Sequence, residues 1–163
     1  MTLQDYVRSF DPEDRERVFH FLAIFARYEC ALKRSEFVRR GSYGEADADW
    51  NTYADHISTR LARLTSPEYI MARDRLLKNP PLRECLDNGQ ILWLPNPRRR
   101  GETDARYLLR VVRDVRNNLF HGGKFQDYKV AELARDRLLI DSAIIVLQAS
   151  ANVDDSIQRF FYG

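Results

Sequence analysis

Residues 103–123 read TDARYLLRVVRDVRNNLFHGG, a strongly periodic helical pattern that runs into two glycines. Thr103 and Asp104 supply an N-cap, and Tyr107, Leu108, Val111, Val112, Val115 and Leu119 recur at helical spacing. Gly122 and Gly123 then punctuate the end. A chain that places so regular an apolar stripe on one long helix must bury it against other helices. The same periodicity extends outward in both directions. Asp11-Pro12, with Asp14 behind it, opens a first helix whose face is Val18, Phe21, Leu22, Phe25, Tyr28, Glu29 and Leu32. That helix is expected to run to Gly41. A second helix is expected from about Ala46 to Leu64. Ser66-Pro67-Glu68 repeats the cap, proline and acid pattern for a third, which stops before Pro80-Pro81. Leu82 to Gly101 reads as irregular, with Ile91-Leu92-Trp93-Leu94 as an apolar plug. A fifth helix spans roughly Tyr128 to Ser150, and a short amphipathic tail follows from Asp154. With no strand alternation or repeat visible, the expectation is an all-α, up-and-down bundle of about five helices forming one domain over 1–163.

Composition narrows the chemistry. A chain of 163 residues with 44% hydrophobic content is long enough for one real core. No run approaches the length of a membrane span, and Met1-Thr2-Leu3-Gln4-Asp5 has neither a basic head nor an apolar signal core, so a soluble cytoplasmic protein is expected. Cys30 and Cys85 form no disulfide framework and no Cys-x-x-Cys pair. His20 and His56 stand alone on helices, and no His-x3-His pairing exists for zinc; neither metal nor cofactor is expected. Asp47, Asp49 and Asp55 cluster at a helix start, where stabilisation of the dipole explains them. The net charge is only +2, which argues against bulk polyanion binding and requires any nucleic-acid affinity to come from local clustering.

The end of the helix at 103–123 offers such a cluster. Arg116 and His121 place a permanent planar cation and a group titrating near neutrality at one helix exit. One can hold a phosphate, and the other can pass protons to and from a ribose hydroxyl. The plain alternative is a cationic helix C-terminus interacting with the helix dipole. Arg15 and His20 have the same spacing, but no asparagine follows that arginine and no glycine follows that histidine. Asn117 is four residues before His121 and so falls on its side of a continuing helix, where it can orient the imidazole or steady the arginine. Arg116 and His121, five apart, would point about 140° away from each other on an ideal helix. Either the chain turns at the glycines or a second subunit completes the site.

Arg116-Asn117, three further residues, His121 and Gly122-Gly123 resemble the R-x4-6-H motif of HEPN domains, small helical proteins that include metal-independent ribonucleases of bacterial defence and toxin systems. The resemblance implies a HEPN-like homodimer in which Arg116, Asn117 and His121 of two chains line a shared cleft. It further implies RNA as substrate, cut by 2′-hydroxyl attack, and an antitoxin or defence-system protein as partner. Arg113, Lys124 and the knot Arg98-Arg99-Arg100 are the candidates for holding the RNA backbone, with Glu29 as a polar residue of the cleft. Each has a blander reading as a solvated surface charge. The family also contains non-catalytic members, so a module that binds nucleotide, RNA or a protein partner is the alternative.

Overall fold

The computed structural model describes residues 11–120 and 130–163. Six helices occur among them: α1 (Pro12–Arg34), α2 (Trp50–Ala62), α3 (Pro67–Lys78), α4 (Asp104–Phe120), α5 (Val130–Asn152) and α6 (Asp155–Tyr162). Four strands accompany them, β1 (Val38–Arg40), β2 (Ala46–Ala48), β3 (Arg83–Asp87) and β4 (Gln90–Leu94), paired as two separate antiparallel hairpins. The fold is therefore mainly helical but not all-α, and the bundle of about five helices expected from periodicity is corrected in two places.

The first correction lies between α1 and α2. The first helix stops at Arg34 because the Ser35 hydroxyl donates to the Leu32 carbonyl (2.8 Å) and Phe37 turns inward onto Tyr53, with ring centres 4.8 Å apart. The chain from Val38 to Ala48, expected to be the end of one helix and the start of another, pairs with itself instead. Val38 faces Ala48, Arg39 faces Asp47 and Arg40 faces Ala46. Asp49 then caps α2, accepting from the Thr52 amide and hydroxyl. The second correction lies within 82–101. Asn88 (φ 47°) and Gly89 (φ 78°) both adopt the left-handed backbone that a two-residue hairpin loop demands, and they join β3 to β4. Asparagine and glycine are the residues that tolerate this conformation most readily.

Elsewhere the caps act as the sequence predicts. Asp11 and Ser66 each accept a backbone N–H of the first turn of α1 and α3, and Asp154, not among the expected caps, does the same for α6. The helices share one apolar cluster among the described residues, from Phe21 and Tyr28 on α1 through Ile57 and Leu76 to Val111, Leu147 and Ile157. Removing each such large side chain from water contributes about 2 kcal/mol. Cross-links give the helix directions. Asp14 meets Arg137, Arg17 meets Asp141 and Tyr28 meets Ser150, so α1 and α5 run parallel. Arg75 meets Ser142 and Arg135 meets the Pro80 carbonyl, so α3 runs antiparallel to α5. At the centre Trp50 stacks on both Phe25 and Tyr28, each 5.3 Å away. Helix α4 packs against α2 and α3 and carries its polar face outward.

Candidate nucleic-acid interface

Arg106, Arg110, Arg113 and Asn117 sit at positions i, i+4, i+7 and i+11 of α4, so they form one row along its outer face. The loop carrying Arg99, Arg100, Gly101 and Glu102 lies along that row, and Asn51 from the first turn of α2 closes the far side. Together with Asp114 they line an open cleft of about 320 Å³. Five guanidinium groups face it against two carboxylates.

The loop is held by a network centred on Asn96, which is 3% exposed. Its side-chain amide donates to Asp114 (2.8 Å), and its oxygen accepts from Arg110 (2.6 Å). Its backbone carbonyl accepts from the Tyr107 hydroxyl (2.9 Å). Arg110 also makes a two-pronged pair with Glu102 (2.7 and 2.9 Å) and donates to the Pro97 carbonyl (3.0 Å). The hydrogen bond from Arg110 holds the Glu102 carboxyl below its usual range despite burial, and Glu102 in turn keeps Arg110 more firmly protonated. Arg106 is paired with Asp55 through both carboxylate oxygens. These two arginines build the cleft wall rather than offer charge to a ligand.

Arg99, Arg100 and Arg113 differ: among the described residues their side chains form no ion pair. Arg113 is half-buried, its guanidinium carbon 5.7 Å from the centre of the Trp50 ring. Burial lowers its pKa and outweighs the opposing pull of Asp114 and Glu29, with the positive charges of Arg39 and Arg99 adding smaller pushes downward. A cation so placed gains from an incoming anion more than a solvated one does. Guanidinium groups placed in this way can hold a phosphate or another oxyanion.

Compared with family models, curated proteins and solved structures, the chain finds no match. The resemblance to HEPN proteins accordingly rests on residues 116–123 themselves.

The structure gathers some of the candidates and separates others. Arg113, Arg99, Arg100 and Asn117 line one cleft. Arg98 stands outside it, bound to Asp104 (2.6 Å) with its guanidinium over Tyr107. Arg116 projects roughly 90° around α4 from the arginine row. Its guanidinium lies 5.6 Å from the Phe25 ring centre, and it donates to the Asn117 side-chain oxygen (3.1 Å). Asn117 thus touches both the cleft and Arg116. Glu29, half-buried on α1, acts on Arg113 through space but does not line the cleft. His121 and Lys124 lie outside the described residues. Among those described, no group of three or more histidine, cysteine or acidic side chains is placed to hold a metal, and no helix is long and apolar enough to cross a membrane. Sequence reasoning missed Arg106, Arg110, Asn51 and Glu102. The spacing 106, 110, 113, 117 carries the signal for two of them.

Proposed function

We propose that this chain is a metal-independent endoribonuclease of the HEPN kind, working as a homodimer in the cytoplasm in a defence, stress or toxin-antitoxin role, with a protein partner that controls it. The observation that carries the proposal is the gathering of Arg99, Arg100 and Arg113, whose side chains form no ion pair among the described residues, in one cleft that also contains Asn117, next to Arg116 and four residues before His121. The three guanidinium groups hold the RNA backbone through its phosphates. Arg116 stabilises the charge that builds at the scissile phosphate, and Asn117 steadies Arg116. One His121 takes the proton of the 2′-hydroxyl as its oxygen attacks phosphorus. A second imidazole, from the other subunit, gives a proton to the departing 5′-oxygen. The bond from phosphorus to that oxygen breaks, leaving a 2′,3′-cyclic phosphate and a 5′-hydroxyl.

The test is incubation of end-labelled single-stranded RNA with the purified protein in excess EDTA. Expected are cyclic-phosphate ends and no cleavage of a substrate with a 2′-hydrogen at the scissile nucleotide. Activity that needs added magnesium, or products with a 5′-phosphate, would refute the mechanism.

One observation favours a second reading. Arg116 faces Phe25 and Asn117 rather than the cleft, which suits a module that binds phosphate groups of RNA or a nucleotide without cutting. Tight RNA binding in the absence of any turnover would select it.

A further inference from the structure

The hairpin β3–β4 has apolar side chains exposed on both faces. Leu86 and Ile91, side by side on one face, are 76% and 65% exposed, and Leu92 and Leu94 on the other are exposed as well. A two-stranded ribbon with neither face buried is marginal in water, and its outer edges offer unpaired backbone groups to another strand. Its root is tied to α4 by the Asn118 amide, which donates to the Leu82 carbonyl (2.8 Å).

The hydrogen-bond phase of the hairpin determines which groups the β3 edge offers. A two-residue loop makes its flanking residues, Asp87 and Gln90, a pair that exchanges both backbone bonds. Alternation then turns Cys85 and Arg83 toward β4 and points the N–H and C=O of Glu84 and Leu86 outward. Among the described residues, neither of the two makes a backbone hydrogen bond outside the hairpin.

We propose that this edge pairs antiparallel with the same edge of a second copy of the chain, about a two-fold axis at Cys85. In that register the outward groups of Glu84 bond those of Leu86 in the other copy, and the reverse. Arg83 of each copy stands opposite Asp87 of the other. Both charges are exposed, and among the described residues neither has an ion pair in its own chain. Charge selects this register. Slipping one copy by two residues in one direction sets Glu84 against Glu84, and slipping it the other way leaves Arg83 without Asp87. The β4 edge, Gln90–Leu94, carries no charge and selects neither register nor partner. Pairing two five-residue edges buries less than the roughly 1,600 Å² of a standard interface, so association belongs in the micromolar range. The proposed ribonuclease is also a homodimer, so association alone does not assign the interface; the charge-reversal pair and the Cys85 cross-link read this edge specifically, whether or not RNA is cut.

Sedimentation equilibrium tests it with the full chain and its charge-reversed variants. Wild type should dimerise with a Kd of roughly 1–100 μM. Arg83→Glu and Asp87→Arg should each raise that Kd by about tenfold or more, and the double reversal should return it to within about threefold of wild type. The axis places the two Cys85 residues opposite each other in a pair that exchanges no backbone bonds, where Cα atoms are about 4.5 Å apart and a disulfide can close. A copper-phenanthroline oxidant, taking two electrons as the thiols lose their protons, should cross-link wild type and Cys30→Ser but not Cys85→Ser. Circular dichroism confirms that each variant folds. A chain that stays monomeric at 100 μM, or a dimer in which the double reversal is as weak as the singles, or one cross-linked only through Cys30, would overturn the proposal.

Discussion

The guanidinium of Arg113 rests 5.7 Å from the centre of the Trp50 ring, and that ring is itself stacked on Phe25 and Tyr28. A charge at the cleft is thereby packed against the buried aromatic core. Preorganisation of this kind reduces the ordering cost of binding an anion. Replacing Arg113 by Gln should lower affinity for single-stranded RNA roughly tenfold at moderate salt and reduce the slope of log affinity against log salt by about one. Fluorescence anisotropy over a salt series measures both. A slope unchanged by the substitution would place the RNA elsewhere.

Arg116→Ala and His121→Ala should each abolish RNA cleavage, while Arg15→Ala and His20→Ala, which reproduce the same spacing on α1, should not. Loss of the arginine is expected to slow turnover on the order of 100- to 1,000-fold, the effect of removing one electrostatic donor from a transition state. Single-turnover assays of the four variants make the comparison, with circular dichroism as the control for folding. Equal behaviour of the two pairs would remove the support the motif now has.

Helices were legible wherever a cap and a regular stripe coincided, as at Asp11-Pro12, Ser66-Pro67 and Thr103-Asp104. The two hairpins were not. In the stretch to Gly41, helical periodicity outlasts the helix, because the end at Arg34 depends on the Ser35 hydroxyl and on a tertiary contact of Phe37 with Tyr53 that no local pattern announces. Asn88-Gly89 did carry a turn signal. Ile91 to Leu94 obscured it, because four apolar residues in succession do not alternate, and both faces of that ribbon are in fact apolar. The arginines of the site were visible as residues, yet not as a cleft. Which of them are neutralised depends on partners that only the fold supplies, Asp55 for Arg106 and Glu102 for Arg110.

A buried hydroxyl network fixes α1 and α2 to α5. Tyr28 donates to the Ser150 hydroxyl (2.8 Å), and Tyr53 donates to the Ser150 carbonyl (2.7 Å); burial pushes both phenols to higher pKa. Ser150→Ala removes the serine acceptor of the Tyr28 hydroxyl in a site closed to water, where only the Tyr53 hydroxyl remains beside it. The expected loss is about 1–3 kcal/mol, read from urea unfolding. In the Tyr28→Phe background the same substitution should cost far less, because no donor is then stranded. Equal costs in both backgrounds would show that the hydrogen bond is not the cause.

Asp154 makes a pH-dependent contribution of predictable sign. It caps α6, accepting from the Ser156 hydroxyl (2.6 Å) and the amides of Ser156 and Ile157, and its second oxygen lies 3.0 Å from His56 Nε2 and 3.6 Å from Arg60. Burial alone would raise its pKa, but those hydrogen bonds and the Arg60 charge outweigh burial and hold it below the ordinary value of 3.8. A carboxyl whose folded pKa lies below its unfolded one contributes stability that is fully present above the unfolded value and is lost as pH falls through the folded one. Asp154→Asn keeps a capping oxygen but removes the charge, and should therefore cost about 1 kcal/mol at pH 7, the difference between a charged and a neutral acceptor, and progressively less below about pH 4. Urea midpoints of both proteins at pH 7 and pH 3 measure the gap. A gap that stays constant between the two would mean that the charge of Asp154 contributes nothing and that only the shape of the cap matters.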